Sequence, residues 1–80
     1  MTPSETAMAA MELIPLAHKD EVGQGVFRNA VHDLLAGGAC VGDAYSQALA
    51  MAVDLVPDFE PRCDRSGLLA LDRLDGSRPG

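Results

Sequence analysis

Four side chains in this 80-residue sequence are strong ligands for soft metals: His18, His32, Cys40 and Cys63. A structural zinc site usually draws on paired ligands, such as two cysteines about two to four residues apart. Here the successive separations are 14, 8 and 23 residues, with no pair among them. The spacing therefore predicts neither a metal site nor a cofactor. The ordinary reading is a solvent-facing His32, a His18 in a loop and two plain thiols. The cysteines admit two other chemistries. A disulfide between Cys40 and Cys63 would close a long loop and stabilise the fold. A nucleophilic thiolate would need a base nearby and a lowered pKa. Arg62 and Arg65 flank Cys63, Cys40 precedes a predicted helix, and His18 or His32 would be the base. Nothing in the spacing requires this, so a small cysteine-dependent enzyme or redox protein stands as an alternative only.

The remaining chemistry is weaker. Asp58 and Glu60, and Asp72 and Asp75, are paired carboxylates, but general acid–base work needs a cleft that shifts their pKa values. Four short helices offer little room for one. Asp58-Phe59-Glu60 lacks the repeated oxygen ligands of a calcium loop. Ser4, Ser46, Ser66 and Ser77 have no nucleophile-elbow context. Gly23-Gln24-Gly25 lacks the strand, the third glycine and the Lys-Ser/Thr that phosphate-binding loops need. The residues point away from catalysis.

Charge narrows the partner. Twelve acids face six bases, for a formal net charge of −6. Residues 1–60 hold nine of the acids and only Lys19 and Arg28 as bases, whereas residues 61–80 are close to neutral. Nucleic-acid affinity rests on clustered Lys and Arg, and the bases here are scattered. Acidity serves solubility first, and it also suits a basic protein surface. Two neighbouring helices with a short turn invite a helix-turn-helix reading. That motif needs a recognition helix with polar and basic groups. Residues 44–56 contain no Lys or Arg, and Asp43 and Asp54 would face phosphate. A DNA-binding regulator is therefore a further alternative, and direct nucleic-acid binding is not expected.

The elements that must position these residues are helical. Thr2-Pro3-Ser4-Glu5 is a capping box with proline at the first helical position. It opens a helix over 4–14 whose polar side is marked only by Glu5, Thr6 and Glu12. A helix apolar on most sides is usually buried on more than one. Met8 and Met11, joined by Met51, form a candidate adaptable binding patch; the plain alternative is that all three fill the core. Pro15 ends this helix. Asp20 is expected to cap a second helix over 20–36, with Val22, Val26, Phe27, Ala30, Val31, Leu34 and Leu35 as its stripe. Glu21, Gln24, Arg28, Asn29, His32 and Asp33 form its other face. Gly23 and Gly25 each weaken it by about 1 kcal/mol relative to Ala, which moves its expected start towards Gln24. Gly37-Gly38 ends it.

Asp43 is expected to cap a third helix over 43–56, with Tyr45, Ala48, Leu49, Ala52, Val53 and Val56 as its stripe. Ala44, Ala48 and Ala52 form a row of small residues that lets a neighbouring helix approach closely. After a loop from Pro57 to Arg65, Asp64 or Ser66 starts a short fourth helix over 67–74 with Leu68, Leu69, Leu71 and Leu74. Residues 76–80 form a frayed end. The expected fold is a single all-α domain over 1–80, a small bundle of three main helices plus a short C-terminal helix.

No segment approaches the ~20 apolar residues of a membrane span, so no membrane association is expected. The sequence shows no basic region followed by an apolar stretch, so a reducing cytoplasm is the expected compartment. Only three aromatic residues are present and no Trp. A core of Leu, Val, Ala and Met leaves a small domain marginal, and a homodimer or a permanent partner would supply burial. The function expected is non-catalytic protein–protein interaction. A small acidic regulator or inhibitor would dock on a basic surface of a larger, nucleic-acid-handling complex. Within the same class, the alternative is an accessory subunit that docks on a larger enzyme through the apolar first helix. Candidate contacts are Met8, Met11, Asp20, Glu21, Asp33, Asp43, Asp54, Asp58 and Glu60.

Overall fold

A computed structural model describes residues 2–76, with side chains described through Leu71. The chain forms four helices: α1 (Pro3–Leu13), α2 (Val22–Ala36), α3 (Val41–Leu55) and α4 (Arg65–Gly76). No strand occurs among the described residues. The all-α bundle is as the hydrophobic periodicity predicts. The expected frayed end falls on residues 77–80, outside the described residues, apart from Gly76, which closes α4.

α1 starts where its cap dictates. Thr2 Oγ1 accepts the Glu5 amide at 3.2 Å, and Glu5 Oε1 accepts the Thr2 amide at 3.4 Å. These bonds satisfy two donors at the helix end, one on each side of the box. Thr6, Ala7 and Ala10, with Ile14 just past the helix, form one buried stripe. Thr6 was expected on the polar side. It is buried because its hydroxyl donates to the Thr2 carbonyl at 3.1 Å and so leaves no unmet polar group. α1 ends at Leu13, and its C-cap residue Ile14 is extended ahead of Pro15.

α2 departs from the sequence reading at its start. Glu21, not Asp20, is the N-cap residue, and it makes no side-chain cap bond. The Glu21 carboxylate is engaged elsewhere, by the His18 amide and by Arg62. The glycines do not delay the helix to Gln24. Gly23 is buried under the Phe59 ring, and a Cβ there would stand 2.6 Å from Phe59 Cδ1. Packing of that ring offsets the poor helix propensity of glycine. Val22, expected in the buried stripe, is exposed, whereas Gln24, expected on the polar face, is 2% exposed. The other end of α2 follows expectation. The Gly38 amide donates to the Leu35 carbonyl and the Ala39 amide to the Leu34 carbonyl, both at 3.0 Å. This is a Schellman closure with Gly38 at φ 104°.

α3 begins two residues before Asp43. Cys40 is the N-cap residue without a side-chain bond, and Val41 opens the helix. Val41 is buried in the core, and that burial favours the earlier start. Asp43 then lies in the first turn, where its charge complements the helix dipole. Ala44, Ala48 and Ala52 are fully buried, as their spacing predicts. α2 makes its most extensive contact with α3, and α1 packs on α2. α4 starts at Arg65, where the Asp64 carboxylate accepts the Ser66 amide at 3.0 Å. It therefore runs longer than the expected 67–74. Leu68 and Leu71 are buried in the common core. Because α4 contacts both α1 and α3, the neighbour order closes into a ring, α1–α2–α3–α4–α1.

All three aromatic rings join one cluster centred on Phe27, which is 0% exposed. Tyr45 meets it edge-on at 5.4 Å between centroids, and Phe59 lies tilted at 5.8 Å. Such pairs add about 0.5–1.5 kcal/mol each beyond area burial. A chain poor in aromatics thus places every ring at the junction of α2, α3 and the 57–64 loop.

Candidate functional site

Polar groups of the connector before α2 and of the loop before α4 converge on the first turn of α2. Gln24 Nε2 donates to the Pro15 carbonyl at 2.8 Å, and Gln24 Oε1 accepts the Arg62 amide at 3.4 Å. A buried amide side chain that is bonded at both ends joins two loops to one helix. Above it, Arg62 Nη1 reaches the two Glu21 carboxylate oxygens at 2.8 and 2.7 Å. The hydrogen bond from the His18 amide, with help from Arg62, holds the Glu21 carboxyl below its ordinary pKa against the opposing effect of desolvation.

Beside this clamp lies a cavity of about 300 Å³. Val22, Gly23, Val56 and Phe59 supply its apolar lining, and Gln24 completes the wall. Asp20, Glu21, Glu60 and Arg62 form its charged rim. The structure thus brings together three of the acids singled out in the sequence: Asp20, Glu21 and Glu60. Asp20 and Glu60 are exposed and bond to no other described residue, whereas the charge of Glu21 is matched by Arg62. Val22, Gly23, Phe59 and Arg62 were not among the expected partner contacts. One signal was present: Phe59 is the one aromatic residue in a loop, set between acids and prolines.

The other candidates lie elsewhere. Asp43 and Asp54 are exposed on α3, and Asp58 is exposed in the following loop. Asp33 is exposed, with its carboxylate 3.3 Å from His32 Nδ1. Met8 is 68% exposed, whereas Met11 packs against the core. The two methionines therefore do not share one open patch. Met51 is exposed on α3.

The described cations and acids differ in how many are engaged by the chain's own groups, although Arg62 and Arg65 are themselves exposed. Arg28 donates from Nε to the Ile14 carbonyl at 3.2 Å and from Nη2 to the Met11 carbonyl at 3.3 Å. It thereby places a cation at the C-terminal end of α1, which has no basic residue in its own last turn. Arg62 is held by Glu21, and Arg65 lies over the Tyr45 ring at 5.4 Å. Lys19 is the one cation among the described side chains without such a contact. Of the acids among the described side chains, every one except Glu21 is exposed.

The cysteine chemistry changes in this setting. Both thiols are free. Burial pushes the Cys63 thiol pKa up, and the Asp64 carboxylate adds to the shift. The flanking arginines were expected to favour the thiolate. Their guanidinium groups are instead directed to Glu21 and Tyr45. The structure thus favours a protonated Cys63 at neutral pH. Among the described residues, no three His, Cys, Asp or Glu side chains gather as metal ligands. No helix there is long and apolar enough to cross a membrane.

Comparison with known proteins finds no matching family model, no matching curated protein and no matching solved structure. The functional reading therefore rests on the geometry and charge of this chain.

Proposed function

We propose that this chain is a non-catalytic protein-binding domain, a small acidic regulator or inhibitor that docks on a basic surface of a larger protein. The observation that carries the reading is the division of charge just described. Three of the four described cations serve the chain's own carbonyls, carboxylate or ring, while Asp20, Asp43, Asp54, Asp58 and Glu60 face solvent with no counter-ion among the described residues. Such a surface attracts cationic surfaces and repels nucleic acid. The partner class favoured on charge is a nucleic-acid-handling protein whose cationic groove the acidic body would cover. The setting proposed is the cytoplasm, where free thiols persist.

Affinity capture from the native cells at low and high ionic strength tests this. The expected result is a partner held by the wild-type chain at low salt, lost at high salt, and lost in the Asp43→Lys/Asp54→Lys/Asp58→Lys variant. A partner retained equally by that variant would sink the reading.

A second reading is favoured by one observation. Met8, Leu13 and Leu16 are exposed on and just after α1. That apolar surface suits an accessory subunit docked on a larger enzyme, or a homodimer. Capture that persists at high salt and is lost in Met8→Asp would favour it.

A further inference from the structure

We infer that the cavity beside the first turn of α2 is an anchor pocket for one large apolar side chain of a partner segment that carries lysine or arginine next to that anchor. The inference rests on the proposed binding of a basic protein surface and names where and how that surface is read.

Three features support this occupant. The lining is apolar yet open to water: Val22 is 58% exposed, and Phe59 is only partly covered although it packs on Phe27. Apolar surface in a concavity gains by dehydration when a complementary side chain enters. The volume, about 300 Å³, is at the small end for ligand sites and suits a single anchor residue of the kind that dominates protein interfaces. The rim chooses the flanks. The Glu21–Arg62 pair cancels its own charge, which leaves Asp20 and Glu60 as unmatched anions at the mouth. An anionic ligand is repelled there, whereas cations beside the anchor are drawn in.

The pocket is also held in shape before anything binds. Gln24 bonds to both loops that frame it, and the missing Cβ of Gly23 gives the Phe59 ring its place in the lining. A preorganised site loses less freedom on binding.

The test uses the full 80-residue chain and three blocked synthetic peptides. The first has phenylalanine flanked on each side by two arginines, the second has alanine in place of the phenylalanine, and the third has phenylalanine flanked by serine and glycine. Backbone amide shifts report the site. The cationic phenylalanine peptide is expected to shift the amides of Val22, Gly23, Gln24 and Phe59 and to bind about tenfold tighter than the alanine peptide, since tenfold corresponds to the burial of roughly two methylene groups.

Two variants separate anchor from flanks. Val22→Asp adds an acid at a helix N-terminus, where it is tolerated, and should abolish the preference for phenylalanine over alanine. Asp20→Asn with Glu60→Gln should weaken both cationic peptides and keep the preference. Equal binding of the phenylalanine and alanine peptides would overturn the pocket while leaving the acidic-surface reading intact. Absence of any shift with either cationic peptide would overturn both. Equal binding of the neutral phenylalanine peptide would remove the cationic half and point to an apolar ligand. Concentration-dependent shifts of the same amides in the free chain would assign the pocket to a second copy.

Discussion

Gly23 and Phe59 occupy one another's space: a single methyl carbon on Gly23 would stand 2.6 Å from Phe59 Cδ1 and 3.1 Å from Cγ. The ring lies where a helical side chain would otherwise project. This ties the 57–64 loop to α2 and shapes the wall of the cavity.

Gly23→Ala should therefore destabilise the protein, although alanine raises helix propensity by about 1 kcal/mol. The overpacking cost is expected at about 1–3 kcal/mol. In a Phe59→Ala background the sign should reverse, because the clash is gone and only propensity remains. Urea unfolding of the four proteins in a double-mutant cycle measures the coupling. Additive effects would show that the close approach does not decide the residue.

Arg28→Ala should cost about 1.5–3 kcal/mol, the usual range for a hydrogen bond to a charged group. The Met11 and Ile14 carbonyls lose their donor, and the end of α1 loses its cation. Amide hydrogen exchange should quicken in the last turn of α1 before it quickens in α3. Uniform loss of protection across all helices would contradict this local role.

The pH dependence has two limbs. The folded pKa of Glu21 is lowered, chiefly by the His18 amide. Its stabilising contribution is thus complete above the ordinary carboxylate value of about 4.3 and is lost as pH falls through the folded value. Glu21→Gln should flatten that acid limb in thermal melts. The Cys63 thiol is raised by burial, so the unfolded chain ionises first. Stability should fall as pH rises past about 8.5, and Cys63→Ser should reduce that alkaline loss.

Met8→Lys should change stability by no more than about 0.5 kcal/mol, as expected for a surface position. Met11→Lys should destabilise measurably, because that side chain packs on the core. Thermal melts of the two variants read the difference. Equal losses would mean that α1 is covered on both sides.

The helical plan is legible from local sequence alone. The 3.6-residue spacing of Val26, Phe27, Ala30, Val31, Leu34 and Leu35, the Thr2–Glu5 box, the Gly37-Gly38 stop and the alanine row of α3 act within one or two turns, so neighbours in sequence suffice to read them. The acidity of residues 1–60 was equally legible. The starts of α2 and α3 were not. Val41 opens α3 because it is buried in the core, and Gly23 is helical because Phe59 covers it from a loop 36 residues away. The polar residues divide in the same way. Gln24 and Arg28 look like solvent-facing residues until the carbonyls of Pro15, Met11 and Ile14 come within reach. Those carbonyls lie 9 to 17 positions away in sequence, and the Arg62 amide that Gln24 also binds lies 38 away. Helical periodicity sorts faces by hydrophobicity and carries no information about bonds across that distance. Which cations engage the chain's own groups, which described acids face water and where a cavity forms all depend on contacts between distant elements.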